Sequence, residues 1–348
     1  MTLHVLVLTP YDLRRPPADA SAGLGVAWGF DAAGFRWRAV QPWGPLPQLE
    51  GVDAVLSWWG RPKKRSYKFV PSHIHHVYPD QRRPPRRPWE DRLEALCREH
   101  GVPFVNPLAP RLGLRHSTCL ARWRSAGVPC GRSQRFTHLS ELDLPYPMIL
   151  RADGGAHALS DAFRVDDELA ARTVTARRDR SGGAPLTLAI EFVDTRGADG
   201  LYRKRRCFVV GGRVLPRQVM VSDHWLVKLK TALTGPRAVA EDRAYRERGE
   251  EDPDLVARAA RALGPDILAL DYARTGDGRY VFFEGNPIFG MAGLGDSVRS
   301  RRYREATGLT EEDCRAEHRD FGMAVADLVV RRVKETVAAG PALAAAAR

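Results

Sequence analysis

Short apolar runs alternate with amphipathic segments along the first 106 residues. Apolar runs at 3–9, 52–59 and 102–106 predict buried strands. The spacing of apolar residues within 89–100 predicts a helix, and the segment 24–40 predicts a helix followed by another strand. Strands and helices that alternate in this way favour a small α/β lobe with a parallel sheet.

From Pro107 onward the pattern changes to strands that can pair as hairpins, flanked by helices. Strands are predicted at 147–151, 186–193, 206–215 (a hairpin that turns at Gly211 and Gly212), 267–273 and 280–284. Helices are predicted at 112–127, from 166 onward, at 255–263 and within 311–338. We therefore divide the chain into an N-terminal α/β domain (1–106), a larger domain (107–338) and an Ala-rich tail (339–348).

The composition is that of a globular protein. Of the 348 residues, 44% are hydrophobic and 28% are charged, and no apolar run approaches the roughly 18 residues of a membrane span. The N-terminal Met-Thr-Leu-His-Val-Leu-Val-Leu has neither a basic region nor a small-residue cleavage site, so it predicts a strand rather than a signal peptide. We therefore expect a cytoplasmic protein with no membrane partner.

The chain is also strongly basic. It has 54 Lys and Arg against 42 Asp and Glu, a net charge of +12, and seven of the basic residues are lysine. This charge favours anionic partners, but nucleic acids, nucleotides and carboxylate substrates all meet that condition. The five cysteines are scattered without a Cys-x-x-Cys pair, which argues against a zinc ribbon and against a disulfide framework.

The most informative segment is the predicted hairpin of 267–290, which carries acids within apolar runs. Asp271 lies on the first strand, Glu284 lies on the second, and Asn286 follows two residues later on the same face. At a suitable register, side chains on paired strands approach within about 5 Å. Three oxygen ligands at one place suit Mg²⁺, which completes its shell with phosphates and water. The alternative is a hairpin with solvated acids, but an unpaired charge in an apolar run is costly.

Taken with other segments in sequence order, this hairpin resembles the ATP-grasp superfamily. In that family an acid on one strand and a Glu-x-Asn on the next hold the magnesium ions of ATP, as 268–290 would here. The other similar segments are 103–129 (the opening strand and helix), 146–155 (a phosphate-contacting strand and a glycine-bearing lid), 188–193 (the hinge that faces adenine) and 207–214 (the hairpin that follows). Together they cover about residues 102–335. The resemblance implies an α/β (α+β) fold in which an N-terminal lobe precedes two lobes that clasp ATP.

The resemblance also implies a site for ATP and Mg²⁺. Asp271, Glu284 and Asn286 would hold the metal, while His116 and Arg151 would contact phosphates. The remaining implied nucleotide contacts are Gly154 and Gly155 in the lid and Glu191, Phe192 and Val193 beside adenine.

Several positions depart from the family's pattern and indicate a divergent branch. His116 and Arg151 stand where the family usually has lysines, and arginine binds phosphate with a different, bidentate geometry. The basic run 203–205 replaces an acid expected just before Arg206, and Pro-Ile-Phe-Gly at 287–290 replaces a short spacer followed by Pro-Gly.

The function that the resemblance implies is an ATP- and Mg²⁺-dependent ligase that forms a C–N bond. A carboxylate of a small molecule or peptide would attack the γ-phosphate, and an amine or similar nucleophile would displace phosphate from the acylphosphate. The catalytic candidates are Arg206 and Lys228, which would hold the acylphosphate or the carboxylate, and Arg217 is a further candidate. A homodimer is the default expectation for such an enzyme.

Two other functions stay open. An ATP-grasp kinase or other phosphoryl transferase would use the same site with a hydroxyl acceptor. A basic protein that binds nucleotides or nucleic acid would have lost catalysis, although retention of the three metal ligands argues against that loss. We interpret the histidines at 73, 75 and 76 and the Arg- and Pro-rich segment 81–88 as polar loops, so nucleic acid is not an expected partner.

Overall fold

The computed structural model of the chain describes residues 2–9, 12–14, 22–41, 45–58, 88–153, 162–181, 183–287 and 289–339. The strands are β1 (His4–Leu8), β2 (Arg36–Val40), β3 (Ala54–Ser57), β4 (Phe104–Val105), β5 (Ser133–Arg135), β6 (Met148–Arg151), β7 (Ala162–Val165), β8 (Leu188–Glu191), β9 (Tyr202–Val210), β10 (Arg213–Ser222), β11 (Ile267–Arg274) and β12 (Tyr280–Asn286). The helices are α1 (Ala22–Ala32), α2 (Pro88–Glu99), α3 (Leu108–Leu112), α4 (His116–Ser125), α5 (Glu168–Arg180), α6 (Pro236–Arg248), α7 (Pro253–Leu263), α8 (Val298–Thr307) and α9 (Glu311–Ala339), with a 3₁₀ turn at Leu139–Glu141.

The N-terminal lobe is built on a parallel sheet with the strand order β2-β1-β3-β4. Val5 and Val7 of β1 pack towards α1, whereas Leu6 and Leu8 pack on the opposite face with Leu93 of α2. Both faces are covered by apolar neighbours, which explains why β1 is a continuous apolar run. The parallel α/β lobe predicted from the sequence is therefore confirmed.

Two antiparallel sheets follow, with the orders β5-β8-β6-β7 and β10-β9-β11-β12. The hairpin of β9 and β10 turns at Gly211 and Gly212, whose φ angles of 54° and 88° favour glycine. The strands β5 and β7 and the helices α6 and α8 were not predicted. β5 is three polar residues long, and α6 and α8 have few apolar residues among many arginines, so the pattern of hydrophobic positions gives little signal there.

The long helix α9 joins the N-terminal lobe to the last sheet. Phe321 and Val325 of α9 belong to one apolar cluster with Phe30 of α1 and with Phe208 and Ile267 of the β9-β11 pair. This cluster contains residues from both sides of position 106. The division of the chain into two domains at that point stays a prediction. Among the described residues, no helix combines the length and the apolar character that a membrane span requires.

Glycines allow α1 and α9 to touch backbone to backbone. A Cβ added to Gly322 of α9 would lie 1.8 Å from the carbonyl oxygen of Gly25 of α1. A Cβ added to Gly29 would lie 2.0 Å from the carbonyl carbon of Gly322. Neither contact can be relieved by rotating a side chain, so the crossing of the two helices depends on these glycines.

We expect Gly322→Ala to lower the free energy of unfolding by about 2 kcal/mol. Replacing glycine by alanine within a helix gains about 1 kcal/mol from intrinsic propensity, but overpacking typically costs about 1–3 kcal/mol or more, and here the new methyl group meets backbone. Urea denaturation followed by circular dichroism measures the change. The matched control is Gly113→Ala, because Gly113 has a helical φ of −81° and no atom within 4 Å of an added Cβ. Equal stability of Gly322→Ala and the wild type would contradict the close helix crossing.

Candidate active site

Three charged residues lie side by side on neighbouring strands of the last sheet. Asp271 on β11 pairs with Arg206 on β9 and with Glu284 on β12. Asn286 pairs with Ala269, two residues from the Asp271 pair, so it faces the same side of the sheet. The predicted pairing of the two acid-bearing strands is therefore confirmed, whereas the metal-binding role of these residues stays a prediction.

Asp271 is the centre of a buried ion cluster. Its carboxylate is 2% exposed, and the Arg206 fork donates from Nε to Oδ1 at 2.6 Å and from Nη2 to Oδ2 at 2.7 Å. Lys204 Nζ donates to Oδ2 at 3.2 Å. In the sequence Lys204 is one member of the basic run 203–205, and this contact was not predicted. The available signal was spacing, because residues two apart on a strand face the same side.

The contacts in this cluster shift the pKa values of its members. Burial by itself would raise the pKa of Asp271, but Arg206 and Lys204 outweigh burial and lower this pKa to about 2. Burial lowers the pKa of Lys204 to about 8, against the opposing attraction of Asp271. Burial also disfavours the charged form of Arg206, yet the adjacent carboxylate raises its pKa. Asp271 is therefore an ionised carboxylate held by two neighbouring basic side chains.

Glu284 brings together basic residues from three other segments. His116 Nε2, at the start of α4, lies 3.4 Å from Glu284 Oε1. Burial would raise the pKa of Glu284, but His116, then Lys228 and Arg151, outweigh it and hold this pKa well below its usual range. The structure thus gathers one predicted metal ligand, both predicted phosphate contacts and one predicted catalytic residue.

The donor atoms on this face fit Mg²⁺. Within the described ranges, no group of three His, Cys, Asp or Glu side chains is arranged to hold a metal ion. The oxygen ligands that this face of the sheet offers are the carboxylates of Asp271 and Glu284 and the amide of Asn286. An incomplete set of oxygen ligands suits Mg²⁺, which takes the rest of its shell from phosphates and water, and does not suit a structural zinc ion.

The residues predicted beside adenine lie where β8 ends. Glu191 Oε2 accepts hydrogen bonds from the backbone N and the side-chain Nε of Arg132, at 3.1 and 3.3 Å. The Phe192 ring has the Arg164 guanidinium 4.3 Å from its centroid and the Trp225 ring at 6.0 Å. Val193 follows, half-buried. Contact of these residues with adenine stays a prediction.

The predicted lid glycines Gly154 and Gly155 lie outside the described residues, as do the histidines at 73, 75 and 76 and the segment 81–87. The residue just before the lid is anchored. Asp153 accepts from the backbone N of Ser117 at 3.0 Å and from its hydroxyl at 2.5 Å. This contact ties the end of β6 to the first turn of α4, which also carries His116.

Arg217 is already neutralised within the protein. It lies at a β-bulge between Pro216 and Gln218, is buried, and forms an ion pair with Glu317 of α9. Its guanidinium lies 5.7 Å from the centroids of the Phe208 and Tyr303 rings. The suggestion that Arg217 holds a substrate carboxylate stays a prediction.

We expect Asp271→Asn to destabilise the protein more than Glu284→Gln, although both changes remove one negative charge. The first leaves Arg206 and Lys204 buried without their counter-ion, which costs about 3–5 kcal/mol. Glu284 has a side chain that is 16% exposed, lies opposite another carboxylate and has its basic neighbour His116 at 3.4 Å, so we expect a smaller loss there, about 1.5–2 kcal/mol. Urea denaturation of both variants measures the difference, and the reverse order would refute the ion cluster around Asp271.

Comparison with known proteins gives similarity at the level of structure. The sequence matches no protein-family model and no curated protein. The ATP-grasp ligase PsnB with its precursor peptide PsnA2 and AMPPNP is similar, with a TM-score of 0.53 and 15% identity over 95% of this chain and 97% of that one. PsnB with a phosphomimetic minimal precursor, Mg and ADP gives 0.50 and 15% over 95% and 99%. The D-alanine–D-alanine ligase of Bacillus anthracis with ATP gives 0.51 and 12% over 96% and 99%. At such identities the similarity establishes the fold, and the fold predicted from the sequence is confirmed.

Proposed function

Because this chain has the fold of the ATP-grasp superfamily, we propose that it is an ATP- and Mg²⁺-dependent ligase that joins a carboxylate to an amine through an acylphosphate. The observation that carries the proposal is a pair of adjacent carboxylates with basic side chains around them. Asp271 and Glu284 lie on adjacent strands, His116 Nε2 lies 3.4 Å from Glu284 Oε1, and Lys228 and Arg151 help to lower the pKa of that carboxyl. Such an arrangement suits a magnesium-bound polyphosphate.

In this proposal Asp271, Glu284 and Asn286 hold Mg²⁺. The bound ion supplies charge neutralisation at phosphate oxygens. His116 and Arg151 contact the phosphates from the start of α4 and the end of β6. The contact between Asp153 and Ser117 keeps these two element ends together, so both phosphate contacts are positioned before a nucleotide binds.

Arg206 and Lys228 then face the reacting groups. Arg206 uses Nε and Nη2 for Asp271, which leaves Nη1 to donate to the acylphosphate. The substrate carboxylate attacks the γ-phosphorus, ADP leaves, and the amine attacks the acyl carbon with loss of phosphate. No side chain forms a covalent bond, because positioning and electrostatic stabilisation supply the rate enhancement.

The substrate class in this proposal is a small molecule or a peptide, and the compartment is the cytoplasm. The structurally similar PsnB was solved with a precursor peptide, and the similar D-alanine–D-alanine ligase is named for a small-molecule substrate. These two neighbours represent both substrate classes, so an assay has to sample both.

We expect the wild-type protein to bind Mg-ATP and Glu284→Ala to lose at least tenfold in affinity, because the variant lacks one of two anionic metal ligands. Isothermal titration calorimetry with and without Mg²⁺ measures this. The control is Glu305→Ala, an exposed change on α8 that should bind as the wild type does. Failure of the wild type to bind Mg-ATP, alone and with the substrates screened below, would refute the proposed function.

We further expect ADP release that depends on a carboxylate substrate to yield a hydroxamate when hydroxylamine replaces the amine. Hydroxylamine attacks an acylphosphate but does not react with a phosphate ester, so the trap separates a ligase from a kinase. Panels of amino acids, other carboxylic acids and peptides are screened by coupled ADP detection, and active mixtures are then analysed by mass spectrometry. A phosphorylated product without hydroxamate would identify a kinase instead.

A further inference from the structure

The two oxygen atoms of Asp271 are not equally available. Oδ1 accepts one hydrogen bond, from Arg206 Nε, and so keeps a lone pair. Oδ2 accepts two, from Arg206 Nη2 and from Lys204 Nζ, and both of its lone pairs are used. Oδ1 therefore keeps an acceptor position for a divalent ion and contacts one protein cation, whereas Oδ2 contacts two protein cations.

The surroundings of Lys204 hold its side chain beside Asp271. It is buried, it lies on β9 two residues from Arg206, and it pairs with Met220 of β10 rather than with a polar residue. Its ammonium contacts Asp271 at 3.2 Å, and the side chains of Lys204 and Asp271 are 11% and 3% exposed. Turning Lys204 away from Asp271 would leave a buried cation without its partner, which is costly.

We propose that the site takes one divalent ion per nucleotide and that Lys204 occupies the place of a second ion on Asp271. The inference rests on the proposed function, because it concerns the metal that accompanies the nucleotide. A second ion bound to Oδ2 would have to displace Lys204 or lie beside its ammonium group, and the repulsion between a divalent ion and a neighbouring cation opposes this. The ammonium group of Lys204 thus contributes part of the positive charge that a second metal ion would contribute.

The test counts metal ions rather than turnover. Mn²⁺ bound per AMPPNP is measured by electron paramagnetic resonance, and bound nucleotide is measured in the same samples. We expect one ion in the wild type and two in Lys204→Met, which keeps the length of the side chain and removes its charge. We expect the second ion of the variant to bind at least about tenfold more tightly than any second ion of the wild type. Lys334→Met, an exposed change on α9, is the control and should bind one ion.

The outcomes separate this inference from the proposed function. Nucleotide binding with two ions in the wild type would overturn the inference and leave the proposed function intact. A folded Lys204→Met with a single ion would also overturn it, because Lys204 would then not exclude the second ion. Lys204→Gln provides a second neutral variant if Lys204→Met does not fold, and the wild-type count is decisive without either variant. Absence of nucleotide binding in the wild type would refute the proposed function and the inference together.

Discussion

The neutralisation of Asp271 inside the last sheet is the interaction on which the site depends. An ionised carboxylate buried between two strands costs several kcal/mol unless partners hold it. The Arg206 fork and Lys204 supply those partners from the adjacent strand. In return, the carboxylate fixes two long side chains that would otherwise sample many rotamers. The sheet register places Glu284 directly beside Asp271, so one set of strand pairings orders the whole charged row.

On the opposite face of the same sheet, apolar packing positions the helix that carries His116. Leu268 and Leu270 lie in an apolar cluster with Cys119 of α4 and with residues of α7. The Trp123 indole donates to the backbone of α7 at 2.9 Å, which holds α4 against that helix. Since His116 begins α4, this apolar packing determines where its imidazole meets Glu284. Residues that never touch a substrate therefore position a predicted phosphate contact.

Sequence patterns predicted the features that depend on residues close together in the chain. Apolar runs and glycine turns gave the strands, and the two-residue spacing of Glu284 and Asn286 gave their shared face. The contact between Lys204 and Asp271 spans 67 positions in the chain, and the two-residue spacing of Lys204 and Arg206 predicts only their shared face, not the acid that they meet. Arg217 shows a related limit, because a one-residue bulge changes which neighbours a strand residue meets, and Pro216 indicates a bulge or an edge strand without identifying those neighbours. The fold was therefore predictable from the sequence. The ion pairs of Asp271 and Arg217 were not, because they depend on the register in which the strands of the last sheet pair.

The site acids have a role even when no metal is bound. Cations that are to receive a polyphosphate must be held close together, and like charges at short range repel one another. Asp271 offsets that repulsion and keeps Arg206 and Lys204 in place, and Glu284 contacts His116, so little reorganisation is needed when anionic phosphates arrive. This local balance also explains why the net charge of +12 says little about the partner. The cations that matter for the chemistry are the few whose positions the two carboxylates fix, and the rest of the basic surface can vary without changing the site.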